Sequence, residues 1–291
     1  MPPPLKYHPA MSPVITRFAP SPTGELHLGH AYAAWFAFDA ATRRGGEFLL
    51  RIEDIDGTRC RPEFVASIEA DLAWLGLEWS RPVRYQSDCL PEYRAALDRL
   101  AAQNLLYPCF CTRAEIKAEI EAAGGAPQGP DGPVYPGTCR TLDPDHAAMR
   151  VARGDSYAIR LNMALALGQV GPLNFHDADA GTIACDAAPF GDIVLARKDT
   201  PTSYHLAVTV DDAAQGVTLV TRGVDLLAAT HCHRLLQALL ELPVPDYHHH
   251  RLMLGADGKR LAKRDHSATL ASLRAGGATP ADVRVMVGLA V

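Results

Sequence analysis

The chain has 291 residues, 48% of them hydrophobic, with a formal net charge of -5, which is enough apolar material for one large core or two modest ones. The acidic balance excludes the global basic field of a protein that grips nucleic acid without regard to sequence, so any RNA contact has to be local. No apolar run approaches the roughly 18 to 20 residues of a membrane helix and no signal-peptide pattern opens the chain, so the expectation is a cytoplasmic protein without a membrane partner.

Residues 1–13 carry five prolines and read as a loose leader, within which Met11 is an alternative start. Residues 16–19 read as a strand, Pro20-Ser21-Pro22-Thr23-Gly24 as a turn, and 26–41 as an Ala- and aromatic-rich helix. After Gly45-Gly46, the run Phe48-Leu49-Leu50-Arg51-Ile52 has the length and content of a buried parallel strand. It ends at Glu53-Asp54-Ile55-Asp56, where a doubly wound sheet binds its ligands. Helical patterns over 62–75 and 91–103 complete an α/β alternation. From 105 to 188 the pattern changes to cysteines, a Gly/Pro-rich stretch over 124–137 and a short strand at 157–161. The rhythm resumes with the apolar runs 193–196, 206–210 and 217–221 and a helix over 229–240, then a basic loop over 259–264 and a short helical tail. The expected architecture is a Rossmann-like, doubly wound parallel-sheet catalytic domain in two halves, 14–104 and 189–242. It is interrupted by an inserted metal-binding domain over 105–188 and followed by a loop and helical part over 243–291.

Within 17–30, a loop enters a helix and offers N–H groups and a positive dipole end to an anion. Gly29 lets a nucleotide lie close, and His27 and His30, three residues apart, could donate to a phosphate whose charge grows during displacement. Taken alone, His-x-x-His is better explained as two surface histidines at a helix start. The full run Arg17-Phe18-Ala19-Pro20-Ser21-Pro22-Thr23-Gly24-Glu25-Leu26-His27-Leu28-Gly29-His30 resembles the HIGH signature of class I aminoacyl-tRNA synthetases in its glutamyl and glutaminyl form. Arg260-Leu261-Ala262-Lys263-Arg264 is similar to the family's KMSKS signature, with arginine in place of the first lysine and Ala262 in place of serine. The resemblance implies ATP bound with Mg2+ at His27, Gly29 and His30, and Lys263 on the leaving pyrophosphate.

A glutamate pocket needs cations for two carboxylates and an anion or polar group for the ammonium. The resemblance assigns Arg17, Ala19 and Ser21 to that pocket from the first loop and Glu53 to the ammonium. It adds Tyr204, which opens Tyr204-His205-Leu206-Ala207-Val208-Thr209-Val210-Asp211-Asp212, and Arg222, whose planar fork suits a carboxylate.

Of seven cysteines, Cys109, Cys111 and Cys139, with Tyr135, have ligand-like spacing, although unligated buried cysteines explain that spacing as well. The Cys-x-Cys, Tyr-x-x-x-Cys arrangement resembles the zinc group of the glutamyl-queuosine tRNA(Asp) synthetase family, implying one structural Zn2+. Cys60, Cys89, Cys185 and Cys232 are assigned to packing. Arg222-Gly223-Val224-Asp225-Leu226-Leu227, and the 28 residues after Lys263, too few for an anticodon-binding domain, look like the same family. The resemblance implies activation of L-glutamate without tRNA and its transfer to queuosine in the anticodon loop of tRNA(Asp); a monomer is expected. Arg140, Arg150, Arg153 and Arg160 are the candidate local RNA contact, or a solvated face. Three other readings remain: a minimal synthetase charging the tRNA 3′ end, a small-molecule nucleotidylyltransferase and a non-catalytic RNA-binding paralogue.

Overall fold

A computed structural model describes residues 13–123, 125–198, 200–253 and 268–290. Strand β1 (Ile15–Phe18) leads through the first loop to helix α1 (Leu28–Thr42), and β2 (Glu47–Ile52) returns parallel to β1. Helix α2 (Pro62–Trp74) crosses to β3 (Ser80–Tyr85), parallel to β2, and α3 (Leu90–Ala102) follows. The chain then leaves this sheet through β4 (Leu106–Cys109), α4 (Arg113–Ala122), the two-residue strands β5 (Gln128–Gly129) and β6 (Gly132–Pro133), α5 (Pro144–Ala152) and β7 (Ala158–Leu161). Helix α6 (Met163–Gln169), the hairpin β8 (Asn174–Asp177) and β9 (Gly181–Ala184), and β10 (Val194–Arg197) come next. Helix α7 (Tyr204–Ala214), β11 (Leu219–Gly223), α8 (Leu227–Leu239), β12 (Asp246–His250), α9 (Leu270–Ala275) and α10 (Pro280–Met286) complete the described chain.

β11, β12 and β8 run parallel, with β9 antiparallel at the edge. The Thr218 N–H donates to the Ile15 carbonyl at 3.0 Å, and the Ile15 N–H donates to the Thr218 hydroxyl at 2.8 Å. These bonds seat β11 beside β1. The chain winds outward from that junction in both directions, β1 to β2 to β3 on one side and β11 to β12 on the other. The carboxyl ends of β1 and β11 therefore form a topological switch point. One core holds α1 and α2 with Leu270, Val283 and Val287 of the C-terminal part; a second holds α3, α7 and α8, so helices cover both faces of the sheet.

Three particulars depart from the sequence reading. Residues 206–210, expected to continue the strand rhythm, are helix: a short apolar run buried over 206–209 shows no clear period, and Ser203 caps the element by accepting from the Leu206 N–H. Strand β10 pairs antiparallel with β7, which also pairs with β4, so residues 194–197 complete the inserted sheet beyond the expected boundary at 188. Conversely, β8 and β9, inside the expected insertion, extend the sheet of β11 and β12. Among the described residues, no helix is long and apolar enough to cross a membrane.

Candidate active site

A cleft of about 250 Å3 opens at the switch point. Its walls include Arg17, Ala19, Glu53, Tyr204 and Arg222 together with His27, Gly29 and His30. Ser21 is exposed and is absent from the lining, its carbonyl accepting from the Thr23 N–H at 2.8 Å. Lys263 and the rest of 260–264 lie outside the described residues. The described flanks of that segment both reach the cleft: Met253 lines it, and Thr269 forms a bridge to His27 while Leu270 N–H donates to the Leu26 carbonyl at 2.8 Å.

The two histidines are tied to each other as well as to the cleft. His27 is the N-cap of α1, its Nδ1 accepting from the Gly29 N–H at 3.1 Å, and its own N–H donates to His30 Nδ1 at 3.2 Å. This is a capping box built from imidazoles, which fixes both rings at the positive end of the helix. A side chain at 29 would bring its Cβ to 3.0 Å from the His27 ring, so glycine lets that ring fold back over the first turn.

Two buried guanidiniums from β1 and β11 differ in their partners. The Arg17 Nε donates to Asp212 Oδ1 at 2.8 Å and its Nη1 to the Thr221 carbonyl at 3.1 Å. Asp212 is shared with Arg51, whose Nη1 donates at 2.7 Å and whose Nη2 reaches Glu53 at 3.2 Å. Against the cost of burial, these two arginines hold the Asp212 carboxyl below the usual carboxylate range. Burial raises Glu53, with Arg51 and Arg17 opposing. Arg222 has a different shell: His249 Nε2 at 3.2 Å, His233 Nδ1 at 3.1 Å, the Thr230 hydroxyl at 2.6 Å and the Tyr204 hydroxyl at 3.5 Å. Burial holds His233 well below the usual histidine range, and burial also lowers His249, opposed by its bond to Asp177. Among the described residues Arg222 makes no ion pair with a carboxylate, although it is only 6% exposed. A buried cation held by neutral groups is costly until an anion arrives.

Sequence reading did not assign roles to Arg51, Asp212, Thr230, His233 or His249. An arginine inside an otherwise apolar strand was a signal for Arg51, since a fully buried cation needs an acid elsewhere in the chain. Thr230, His233 and His249 gave no such signal, because only the packing of α8 against β11 and β12 brings them to Arg222.

In the inserted region, the Cys109, Cys111 and Cys139 sulfurs all lie within 4.8 Å of one another. Cys111 Sγ is 3.5 Å from both Cys139 Sγ and the Tyr135 hydroxyl. Thiolates on one tetrahedral zinc, each at about 2.3 Å, sit roughly 3.8 Å apart. The donor set therefore fits such an ion, and the cluster could hold zinc. The Arg160 guanidinium lies 3.9 Å over the Tyr135 ring. The other candidate RNA-contacting arginines also have local partners: Arg140 with Asp192, and Arg150 and Arg153 with Asp155.

Comparison with known proteins agrees with this geometry. The family described as tRNA synthetases class I (E and Q), catalytic domain, matches residues 13–287. A glutamyl-Q tRNA(Asp) synthetase of Rhodobacter capsulatus is 52% identical, over 95% of this chain and 100% of its own. One from Symbiobacterium thermophilum is 45% identical over 92% of this chain and 83% of its own. A glutamate–tRNA ligase of Oleidesulfovibrio alaskensis is 40% identical over 93% of this chain, which spans only 55% of it. Among solved structures, a glutamate tRNA ligase from Elizabethkingia meningosepticum in complex with its amino acid superposes with a TM-score of 0.79 at 28% identity, over 95% of this chain and 60% of that one. The chain belongs to the class I tRNA synthetases of the E and Q type, and within them to the glutamyl-Q tRNA(Asp) synthetase family.

Proposed function

We propose that the cleft activates L-glutamate with Mg-ATP to glutamyl-adenylate without tRNA, and that the chain then esterifies the queuosine base at the anticodon wobble position of tRNA(Asp). The observation that carries the first step is Arg222, a buried cation whose described partners are all neutral and which faces a cleft with Tyr204 and Arg17. A side-chain carboxylate there supplies the missing anion in a planar fork. Arg17, already neutralised by Asp212, contributes its remaining N–H capacity, and Glu53 takes the ammonium group. The α-carboxylate then attacks the α-phosphorus of ATP and pyrophosphate leaves. His27 and His30 at the start of α1 stabilise the charge that grows on the phosphate, and Lys263 is assigned to the pyrophosphate. In the second step a hydroxyl of the cyclopentene diol attacks the activated carbonyl, forming the ester and releasing AMP.

The acceptor is supported by the relatives. This chain is 52% and 45% identical to two glutamyl-Q tRNA(Asp) synthetases, against 40% to glutamate–tRNA ligases of which it spans about half. Glutamate-dependent pyrophosphate exchange without RNA tests activation; exchange that appears only with tRNA overturns that part. Transfer to an isolated tRNA(Asp) anticodon stem-loop carrying queuosine, and not to the same hairpin with guanosine, tests the acceptor. Transfer only to full-length tRNA with an intact 3′ adenosine favours the second reading, a glutamate–tRNA ligase.

We also propose one zinc at Cys109, Cys111, Tyr135 and Cys139, where it ties β4 to the segment before α5 as a structural ion. Metal analysis should find about one zinc per chain, lost in Cys111→Ser together with thermal stability. A zinc-free chain of unchanged melting temperature returns these cysteines to packing.

A further inference from the structure

The shell of Arg222 continues away from the cleft as a chain of hydrogen bonds. Arg222 Nη1 lies 3.1 Å from His233 Nδ1, His233 Nε2 lies 3.2 Å from His205 Nδ1, and His205 Nε2 lies 3.0 Å from Asp131 Oδ2. The two ends fix every proton between them. A guanidinium only donates, so His233 Nδ1 accepts and its proton sits on Nε2; an ionised carboxylate only accepts, so His205 donates from Nε2 and accepts at Nδ1. The chain thus runs one way, from a cation in the catalytic core to an anion at the surface, with one tautomer for each ring. A proton on His233 Nδ1 would face the N–H of Arg222 and break the first bond.

Asp131 sits in the turn between β5 and β6, part of the inserted region, whereas His205 and His233 lie on α7 and α8. The turn is held against its support: an added Cβ at Gly129 would come within 2.4 Å of the Pro189 carbonyl, so the hairpin backbone lies directly on the segment before β10. Burial rises steadily along the chain, from an Asp131 side chain 58% exposed to His205 at 12% and His233 at 3%. Nothing in the activation chemistry uses Asp131, His205 or His233 directly, yet they control one edge of the guanidinium that meets the amino acid.

We propose that Asp131 and His205 are positioning residues for glutamate: acting through His233, they fix the orientation of Arg222, so that a hairpin of the inserted region sets the affinity and carboxylate selectivity of a pocket in the catalytic core. This rests on the reading of Arg222 as the glutamate side-chain partner. Removing Asp131 frees His205 to carry its proton on Nδ1, where it opposes the His233 Nε2–H, and removing His205 leaves that N–H without its acceptor; in either case the ring that accepts from Arg222 loses its brace.

The experiment is glutamate-dependent pyrophosphate exchange on the full chain with His205→Ala, Asp131→Ala and Asp131→Asn, read as separate KM values for glutamate and ATP, with nitrogen-15 NMR of the His233 ring in parallel. His205→Ala should raise the glutamate KM about fivefold, the scale of one hydrogen bond, with the ATP KM and melting temperature unchanged. Asp131→Ala should follow in the same direction, and Asp131→Asn should stay near wild type, because the amide oxygen accepts from His205 as the carboxylate does. In wild type, the His233 signals should show the proton on Nε2. A proton on Nδ1, an unchanged glutamate KM in His205→Ala, or a joint loss of both KM values with lowered stability overturns the relay. The tautomer is read without turnover, so a wild-type chain that does not activate glutamate overturns the functional reading and leaves the NMR result to judge the relay.

Discussion

Arg17 and Arg222 enter the same cleft from adjacent strands, are equally buried, and have opposite electrostatic surroundings. Arg17 shares Asp212 with Arg51, and Asp211 joins Arg51, Arg84 and Tyr93 behind them, so this region closes its charge within the protein. Arg222 is surrounded by two imidazoles and two hydroxyls and leaves its charge to be met from outside. The difference separates an arginine that holds the sheet and α7 together from one that, on the function proposed above, receives the glutamate carboxylate. Burial alone does not distinguish them; the identity of the partners does.

The largest expected effect lies on the closed side. Asp212→Ala leaves Arg17 and Arg51 buried without their shared anion and should cost about 3–5 kcal/mol of stability, read by chemical denaturation. A denaturation midpoint equal to wild type would show that the closed network is not structural. The open side should respond in function instead. Arg222→Lys, which keeps the charge but loses the fork, should raise the glutamate KM about a hundredfold, near 2.7 kcal/mol, with little change in melting temperature. A variant that unfolds while retaining its glutamate KM would reverse the two assignments.

The smallest effect concerns pH, where two carboxyls of the same cluster have opposite signs. Asp212 is held below its ordinary range, so its stabilising contribution is present above the unfolded carboxylate range and is lost as pH falls through its lowered value. Glu53 is raised, so its contribution to folding is greatest at low pH and is lost as pH rises through its folded value. In its proposed role at the ammonium group, Glu53 has to be ionised. The glutamate KM should therefore rise on acidification at a pH above the ordinary glutamate value of about 4.3. Glu53→Gln should abolish that limb and raise the KM about tenfold at all pH values, as expected for a charge-assisted bond. An acid limb that survives in Glu53→Gln assigns it to another group.

Much of the scaffold was legible because it is local. The run 48–52 names its strand by content, the turn before Leu28 marks the entry to α1, and the acids after Ile52 mark the ligand end of the sheet. Residues 206–210 were not legible, since so short and largely buried an apolar run looks alike as helix or strand. The inserted region was visible as a change of composition, but its edges were not: β10 joins it and β8 leaves it through pairings between residues distant in the chain.

By itself the sequence determined the α/β alternation, the paired histidines and glycine at the start of α1, the cysteine and tyrosine spacing, and the arginines and acid available for a glutamate pocket. All but the last follow from residue type and spacing along the chain, whereas the arginines and acid of the pocket were assigned by the resemblance to the family. Only the tertiary structure decided which charges meet. Arg17 and Asp212 are 195 positions apart and touch at 2.8 Å, whereas Arg222 finds His233 only 11 positions away and no carboxylate among the described residues. Packing sets those distances, and with them whether a buried cation is closed within the fold or left for a substrate, because the energy of a buried charge depends on its nearest partners.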